Sequence, residues 1–283
     1  MIQMTPVAST SCWVAASRAR EASQPEPLFH DSYAAALAGE IGHALLEESQ
    51  KTSPGANPSG PNPYLSIRTR FFDEALVHAV EDPDRRQVVV LAAGMDTRSF
   101  RLRWPIGTTF FEVDRDEVFA HKEPILQGLN AKPACTRRVV RADLEHDWIG
   151  PLGSAGFDDG RPAVFLVEGL LVYLTDDSVE SLLTALRRAA CPGSWLGVDL
   201  AGTELLSSPY MKALLEMAER RGFPWRYGTS DPEGLLARHG WAPTVTMPGE
   251  PAANYGRWPY PPAPRNMPGI PRSYLVTAAR TGD

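Results

Sequence analysis

Residues 87–103 of the chain read QVVVLAAGMDTRSFRLR, and this stretch decides the predicted fold. It opens with a short, continuous apolar run, QVVVLAA at 87–93, which is followed at once by Gly94 and then by polar residues. A continuous apolar run of this length is typical of a strand that is buried on both faces, as in a parallel sheet. A glycine directly after such a strand predicts a strand-to-helix turn, the place where open α/β sheets bind their ligands.

Six further apolar runs follow the first, and helical patterns separate several of them. The runs are TTFFEV (108–113), RRVVRA (137–142), AVFLVE (163–168), SWLGVDL (194–200), WAPTVTM (241–247) and SYLVTAA (273–279). Helices are predicted at 116–129, 176–190, 204–222 and 231–240, where apolar residues recur at helical spacing. Thr175 or Asp176 is the predicted N-cap of the second of these helices, and Asp231 that of the last. Strands that alternate with helices predict a mostly parallel sheet covered on both faces.

The remaining stretches divide the chain into two predicted domains. Residues 1–80 are predicted to form an N-terminal helical cap, interrupted by the loop sequence KTSPGANPSGPNP at 51–63. Residues 81–283 are predicted to form the core, with insertions at 203–231 and 248–272. The second insertion holds eight prolines, and an ordered connection of that length is unusual unless it is functional. We therefore interpret it as a Pro-rich lid or binding loop.

Composition excludes several classes of protein. Of 283 residues, 43% are hydrophobic and 22% charged, which is usual for a soluble globular chain. A net charge of −6 argues against nucleic-acid partners and against an anionic membrane surface. The three cysteines lie far apart and the first ten residues, MIQMTPVAST, lack the features of a signal peptide. The longest apolar stretch, AVFLVEGLLVYL, is too short to span a bilayer. These features predict a cytoplasmic enzyme or binding protein.

The spacing of Gly94 and Asp114 suggests a nucleoside site. Asp114 ends the second apolar run, twenty residues after the glycine, where a carboxylate accepts hydrogen bonds from both ribose hydroxyls. The chain lacks the G-x-G-x-x-G pattern of a pyrophosphate site, and Met95-Asp96 follow the glycine. The pattern therefore favours an adenosine without phosphates. The alternative is a glycine turn beside a solvated acid.

Residues after the third run give a second indication of the same site. Asp143, in RADLEHD, is placed to accept a hydrogen bond from an adenine amino group, with Leu144 against the ring. The alternative for Asp143 is a helix cap.

Glu168 and Arg68 are charged residues on apolar faces. Glu168 interrupts the fourth run, where a buried carboxylate is costly without a partner. It is predicted to face the cleft or to pair with a cation. Arg68 lies on the stripe that Leu65, Phe72 and Leu76 form at helical spacing, and a buried guanidinium needs an anion. That anion is either Glu168 or the carboxylate of a ligand.

Several motifs together resemble the leucine carboxyl methyltransferase superfamily. They are VVVLAAGMDTRSFRLR (88–103), FFEVDRDE, VRADLEHDW, VEGLLVYL and GIPRSYLVTAAR, and the similarity covers nearly the whole chain. The chain is most similar to the bacterial branch of S-adenosylmethionine-dependent O-methyltransferases that act on polyketides and related natural products. The resemblance implies the class I methyltransferase fold: a Rossmann-like sheet of seven strands, with the last strand inserted antiparallel.

The resemblance also implies roles for individual residues toward S-adenosylmethionine. Arg68 is expected to hold the methionine carboxylate, and Ala93-Gly94 to form the floor beneath the methionine portion. Asp114 is expected to bind the ribose, while Asp143 and Leu144 flank the adenine. Glu168 is expected to line the cleft beside the reacting centre.

The chain departs from the family at one position, and from one branch of the family at another. The usual turn reads L-G-A-G-x-D, and here Ala92 replaces its first glycine. Alanine is tolerable there only if its φ angle stays negative, and we expect weaker rather than lost cofactor binding. The branch that methylates protein carboxyl groups carries a lysine near the N-terminus, whereas this chain has none before Lys51.

The acceptor is predicted to be a small molecule bound by aromatic side chains and an arginine. The candidates are Tyr173, Tyr210, Arg226 and Tyr255, followed by Trp225, Tyr227 and Trp258. No histidine follows a predicted strand as an evident general base, which favours a carboxylate acceptor over a phenol. The histidines also show no metal-ligand spacing, so no metal is predicted.

Three alternative functions stay open on the sequence. They are methylation of a protein C-terminal carboxyl group, a nicotinamide-dependent oxidoreductase, and a cofactor-binding protein without catalysis.

Overall fold

The carboxyl ends of five parallel strands form one edge of the sheet, and they position the site described below. The computed structural model describes residues 4–52, 60–262, 264–265 and 267–282. Most of the loop predicted at 51–63 lies outside these residues.

Each of the seven predicted apolar runs forms a strand of one sheet. The strands are β1 (Gln87–Leu91), β2 (Thr109–Asp114), β3 (Thr136–Arg141), β4 (Ala163–Val167), β5 (Trp195–Ala201), β6 (Trp241–Thr246) and β7 (Ser273–Arg280). Their order is β3-β2-β1-β4-β5-β7-β6. β1 to β5 pair in parallel, whereas β7 pairs antiparallel with both β5 and β6. The prediction of a class I methyltransferase sheet with an inserted antiparallel last strand is confirmed.

The two central strands explain where the ligand crevice lies. β1 and β4 are buried at every position, because helices cover both faces of the sheet there. They are also neighbours, although five elements of the chain separate them, so the order of the parallel strands reverses between them. A crevice is expected outside the carboxyl ends of the strands at such a point.

The helices surround this sheet. They are α1 (Pro6–Ala22), α2 (Ala34–Thr52), α3 (Pro63–Ala79), α4 (Arg98–Arg101), α5 (Asp116–Gly128), α6 (Ile149–Ser154), α7 (Asp176–Ala189), α8 (Thr203–Ser207), α9 (Lys212–Arg220) and α10 (Pro232–Arg238). Thr175 caps α7 by accepting a hydrogen bond from the Ser178 backbone N–H, and Asp231 caps α10 through the Gly234 N–H. None of the described helices is long and apolar enough to cross a membrane.

The single helix predicted over 204–222 is wrong. The structure has two helices, α8 and α9, with Pro209 between them. Proline has no backbone N–H and its ring clashes with the preceding turn, so it ends the helix rather than merely bending it. Apolar residues keep the same helical spacing before and after Pro209, which is why the sequence pattern predicted one helix.

Candidate functional site

A cavity of about 850 Å³ lies at the carboxyl edge of the central strands. Residues at or after the ends of β1, β2, β3, β4 and β5 line this cavity, and so do residues of α1. Small-molecule sites occupy about 300–1,000 Å³, so this cavity has room for a cofactor together with a second molecule.

Gly94 forms part of the cavity wall, and only glycine fits there. Its φ angle is +47°, in the left-handed region that side chains rarely adopt. A Cβ atom at this position would lie 2.6 Å from the Cβ of Ser11 on α1. The turn therefore packs closely against α1 at this glycine, while its backbone forms part of the cavity wall.

Ala92 also adopts a positive φ angle, +51°. The condition given above for tolerating alanine at this position, a negative φ, is therefore not met. The turn holds a left-handed conformation that glycine adopts without strain, and it imposes this conformation on alanine. A left-handed alanine costs about 1–2 kcal/mol, so the turn is strained at this residue.

Replacement of Ala92 by glycine is expected to raise the free energy of unfolding by about 0.5–1 kcal/mol. Relief of the left-handed strain outweighs the greater backbone freedom that glycine gives the unfolded chain. Urea denaturation measures the change. Ala93→Gly is the matched control: Ala93 is not among the described residues with positive φ, so this variant is expected to lose about 0.4–1 kcal/mol. Equal losses in both variants would contradict strain at Ala92.

Asp114 lies at the end of β2 and faces the turn after β1. Its Oδ2 accepts a hydrogen bond of 2.6 Å from the Gly94 N–H, and its Oδ1 accepts one of 2.8 Å from the Arg115 N–H. Burial raises the pKa of this carboxyl group, although both backbone hydrogen bonds act to lower it. Each oxygen is held by one N–H, and the carboxylate lines the cavity.

Asp143 and Leu144 line the cavity next to Asp114. Asp143 Oδ2 lies 3.2 Å from Arg115 Nε, and its Oδ1 accepts a hydrogen bond from the Glu145 N–H. Asp143 therefore stabilises a turn after β3 and contributes to the cavity wall. It does not cap a helix, because the next helix, α6, begins at Ile149 with Trp148 as its N-cap.

Arg68 is buried and makes two ion pairs at the carboxyl ends of β4 and β5. Its Nε donates to Glu168 Oε1 at 2.9 Å, and its Nη1 donates to Asp199 Oδ2 at 3.0 Å. Pairing of Arg68 with Glu168, one of the two alternatives, is thus observed. The Nη2 group has no hydrogen-bond partner among the described residues, and Arg68 lines the cavity. A role toward a ligand carboxylate stays a prediction.

Arg98 is a second guanidinium behind Glu168, and sequence reasoning missed it. Its Nη1 lies 2.8 Å from Glu168 Oε2, and its Nε donates to Asp73 Oδ1 at 2.7 Å. It also pairs with Asp96. Burial alone would raise the pKa of Asp96, but Arg98 and more distant cations lower it to about 2. The sequence did contain a signal for Arg98, because the D-T-R at 96–98 places two opposite charges, Asp96 and Arg98, in a buried turn.

Asp199 is a further cavity residue that the sequence reading missed. Like Glu168, it is a lone acid inside an apolar run, SWLGVDL, and the same argument from burial would have identified it.

The acceptor candidates separate into two groups. Tyr173, Trp225, Arg226 and Trp258 line the cavity, whereas Tyr210, Tyr227 and Tyr255 are not among its lining residues. Tyr210 is 76% exposed, because it follows Pro209 in the break between α8 and α9. The Tyr255 hydroxyl donates instead to Glu74 on α3 at 2.8 Å. The structure therefore places the predicted acceptor residues Tyr210 and Tyr255 outside the cavity.

The polar groups that line the cavity fit a cationic adenosyl cofactor better than a phosphate-bearing nucleotide. A strand-end carboxylate stands beside a glycine turn, as a ribose site requires. Asp96 occupies the start of the helical turn where a phosphate would need bare N–H groups. In the described part of the chain, no group of three or more histidine, cysteine or acidic side chains is arranged to hold a metal ion.

Comparison with known proteins gives the same assignment. A model of the leucine carboxyl methyltransferase family matches residues 11–187. A protein of Parafrankia sp. (strain EAN1pec), named provisionally as an S-adenosyl-L-methionine-dependent methyltransferase, is 37% identical over 280 residues. That match covers 96% of this chain and 86% of the relative.

Two crystal structures share the fold. One is a DUF574 family protein from Streptomyces avermitilis, with a TM-score of 0.62 and 17% identity, over 88% of this chain and 95% of the other. The second, from Thermobifida fusca, is named provisionally as a methyltransferase, with a TM-score of 0.59 and 22% identity, over 88% and 93%. The sequence matches and the cavity chemistry agree on S-adenosylmethionine as the cofactor.

Proposed function

The chain belongs to the leucine carboxyl methyltransferase family of S-adenosylmethionine-dependent methyltransferases, and we propose that it methylates a carboxylate oxygen of a small polyketide-like molecule. The proposal is supported chiefly by the absence of a suitable general base on the acceptor side of the cavity, as far as the described residues extend. Phenol methylation is the nearest alternative.

The chain's own residues would hold the cofactor at three points. The free Nη2 of Arg68 is placed to receive the methionine carboxylate, Asp114 the ribose hydroxyls, and Asp143 with Leu144 the adenine. The bound cofactor supplies a methyl group on a sulfonium, which is already strongly electrophilic. The protein therefore needs chiefly to align an acceptor oxygen with that methyl group, and positioning of this kind contributes up to about 7–11 kcal/mol.

The titratable side chains near the proposed acceptor site of the cavity are poor bases. Burial raises the pKa of Tyr173, so its phenol stays protonated at neutral pH and can donate a hydrogen bond but not remove a proton. Glu168 and Asp199 are paired with Arg68. Of the described histidines, His146 lines the cavity, beside Asp143 on the proposed adenine side. A carboxylic acid is ionised at neutral pH and needs no base, whereas a phenol with a pKa of about 10 does.

The cavity residues proposed to bind the acceptor suit a flat, apolar acid. Trp13, Tyr173, Trp225 and Trp258 bring aromatic surface to the cavity, and Arg226 brings a positive charge that can orient a carboxylate. Trp258 belongs to the Pro-rich segment at 248–272. That segment is tied to the end of α1, because Arg257 lies 3.0 Å from the buried Glu21 carboxylate and donates to the Glu26 carbonyl.

A direct assay tests the proposal. The protein is incubated with methyl-labelled S-adenosylmethionine and three acceptor classes: aromatic carboxylic acids, matched phenols, and a peptide with a C-terminal leucine. Mass spectrometry is expected to find the methyl ester of an aromatic acid. A labelled ether would favour the phenol alternative, and a labelled peptide would favour protein carboxyl methylation. Cofactor binding without transfer to any class would favour the non-catalytic alternative.

Replacement of Trp258 by alanine is expected to raise the acceptor KM by about tenfold or more while the Kd for S-adenosylmethionine stays unchanged. The indole contributes apolar surface to the cavity, and loss of an aromatic anchor commonly costs about 2 kcal/mol. Steady-state kinetics and calorimetric titration measure the two constants. Tyr210→Ala removes an exposed aromatic residue outside the cavity and is expected to change neither. A parallel loss of cofactor affinity in Trp258→Ala would contradict an acceptor-side role.

A further inference from the structure

The ion pairs around Glu168 belong to a longer buried network with an uneven charge balance. Its members are Arg18, Arg68, Arg98, Arg101, Asp31, Asp73, Asp96, Glu168 and Asp199. All nine side chains are at most 11% exposed. Five carboxylates share four guanidinium groups, so within the described residues this network carries one surplus negative charge.

Asp199, at the β5 end of the network, is the carboxylate whose charge is least cancelled. Its Oδ2 shares Arg68 with Glu168 and also accepts from the Tyr64 hydroxyl at 2.9 Å. Its Oδ1 accepts from the Gly169 N–H at 2.6 Å. The hydroxyl and the N–H are neutral donors, which fix the position of the carboxylate without cancelling its charge.

The other cavity carboxylates of the network have more cationic neighbours. Glu168 lies between Arg68 and Arg98. Asp96 pairs with Arg98 and is also under the influence of Lys122 and Arg101. Asp199 lines the cavity with its side chain 10% exposed, so its uncancelled charge acts on whatever the cavity binds.

We propose that Asp199 supplies the surplus negative charge by which the cavity distinguishes S-adenosylmethionine from its product S-adenosylhomocysteine. At neutral pH the sulfonium gives the cofactor one net positive charge, whereas the thioether product carries none. A surplus carboxylate that is only 10% exposed attracts the cationic cofactor and gains little from the product, which carries no net charge. When the methyl group has been transferred, the positive charge is lost, and the protein binds the product less tightly than the cofactor. The inference concerns the cofactor alone and does not depend on the proposed acceptor.

Calorimetric titration of both ligands against four proteins tests this assignment. In Asp199→Asn, the Kd for S-adenosylmethionine is expected to rise about tenfold, and that for S-adenosylhomocysteine less than about threefold. Asp199→Glu keeps the charge and is expected to restore the wild-type ratio of the two constants. Tyr64→Phe removes a hydrogen bond to Asp199 but no charge, so it is expected to keep that ratio as well.

Equal weakening of both ligands in Asp199→Asn would overturn the proposal, because it would show a structural role only. An unchanged pair of constants would overturn it too. Thermal unfolding of each variant in the titration buffer reports whether it is folded. Where Asp199→Asn is too unstable for titration, Asp199→Ser removes the same charge with a smaller side chain, and the same ratio decides.

Discussion

Replacement of Asp114 by alanine is expected to weaken S-adenosylmethionine binding by about 100-fold or more. We infer that this carboxylate accepts both ribose hydroxyls, and each hydrogen bond to a charged group contributes about 1.5–3 kcal/mol. The substitution also removes the partner of the Gly94 N–H, which fixes the turn next to the methionine portion of the site. Calorimetric titration with S-adenosylmethionine and S-adenosylhomocysteine measures the loss, which is expected to be similar for both ligands because both carry the ribose.

Asp116→Ala is the matched control for this variant. Asp116 is two residues further along and pairs with Arg141 on the surface, where both side chains are about half exposed or more. It is not among the cavity residues, so cofactor affinity is expected to stay within about twofold of wild type. If Asp114→Ala bound the cofactor as tightly as Asp116→Ala does, Asp114 would not be a ribose ligand.

Replacement of Arg98 by methionine is expected to lower the free energy of unfolding by about 3–5 kcal/mol. The guanidinium is 4% exposed and pairs with the carboxylates of Asp73, Asp96 and Glu168. Methionine fills much of the volume but leaves these buried carboxylates without their shared cation. Urea denaturation followed by circular dichroism measures the loss.

Arg238→Met controls for the removal of an arginine as such. Arg238 pairs with Glu180 at 3.2 Å, and both side chains are more than half exposed. Exposed pairs contribute about 0–1 kcal/mol, so this variant is expected to lose no more than that. Equal losses in the two variants would mean that the buried network around Arg98 contributes little to stability.

The fold was predictable because burial on both faces of a sheet leaves a direct trace in sequence. Continuous apolar runs marked all seven strands, and the N-cap residues Thr175 and Asp231 marked the starts of two helices. The break at Pro209 was not predicted, because the apolar spacing on its two sides follows one helical pattern. The strain at Ala92 was not predictable either, since the φ angle of an alanine is set by the turn around it.

The candidate site was predictable where a residue type is costly in its place. Glu168 and Arg68 are charges on apolar faces, and the structure brings them together. Asp199, a lone acid in an apolar run, could have been identified by the same argument. Its pairing with Arg68, and that of Arg98 with Glu168, depend on which side chains meet in three dimensions, which periodicity does not report. Aromatic residues such as Tyr210 and Tyr255 carry still less information, because the same side chain serves equally at a surface, in packing or in a pocket.

The buried ion-pair network also crosses the boundary predicted between residues 80 and 81. Arg98 and Arg101, which follow β1, pair with Asp73 on α3, and Arg18 on α1 donates to the Met95 carbonyl. A fragment that began at residue 81 would lack Asp73, so the buried Arg98 and Arg101 would lose this carboxylate partner. The helical cap and the sheet are thus expected to unfold in one cooperative transition, and a ligand that binds at the strand ends would protect the amide hydrogens of α1 and α3 as well.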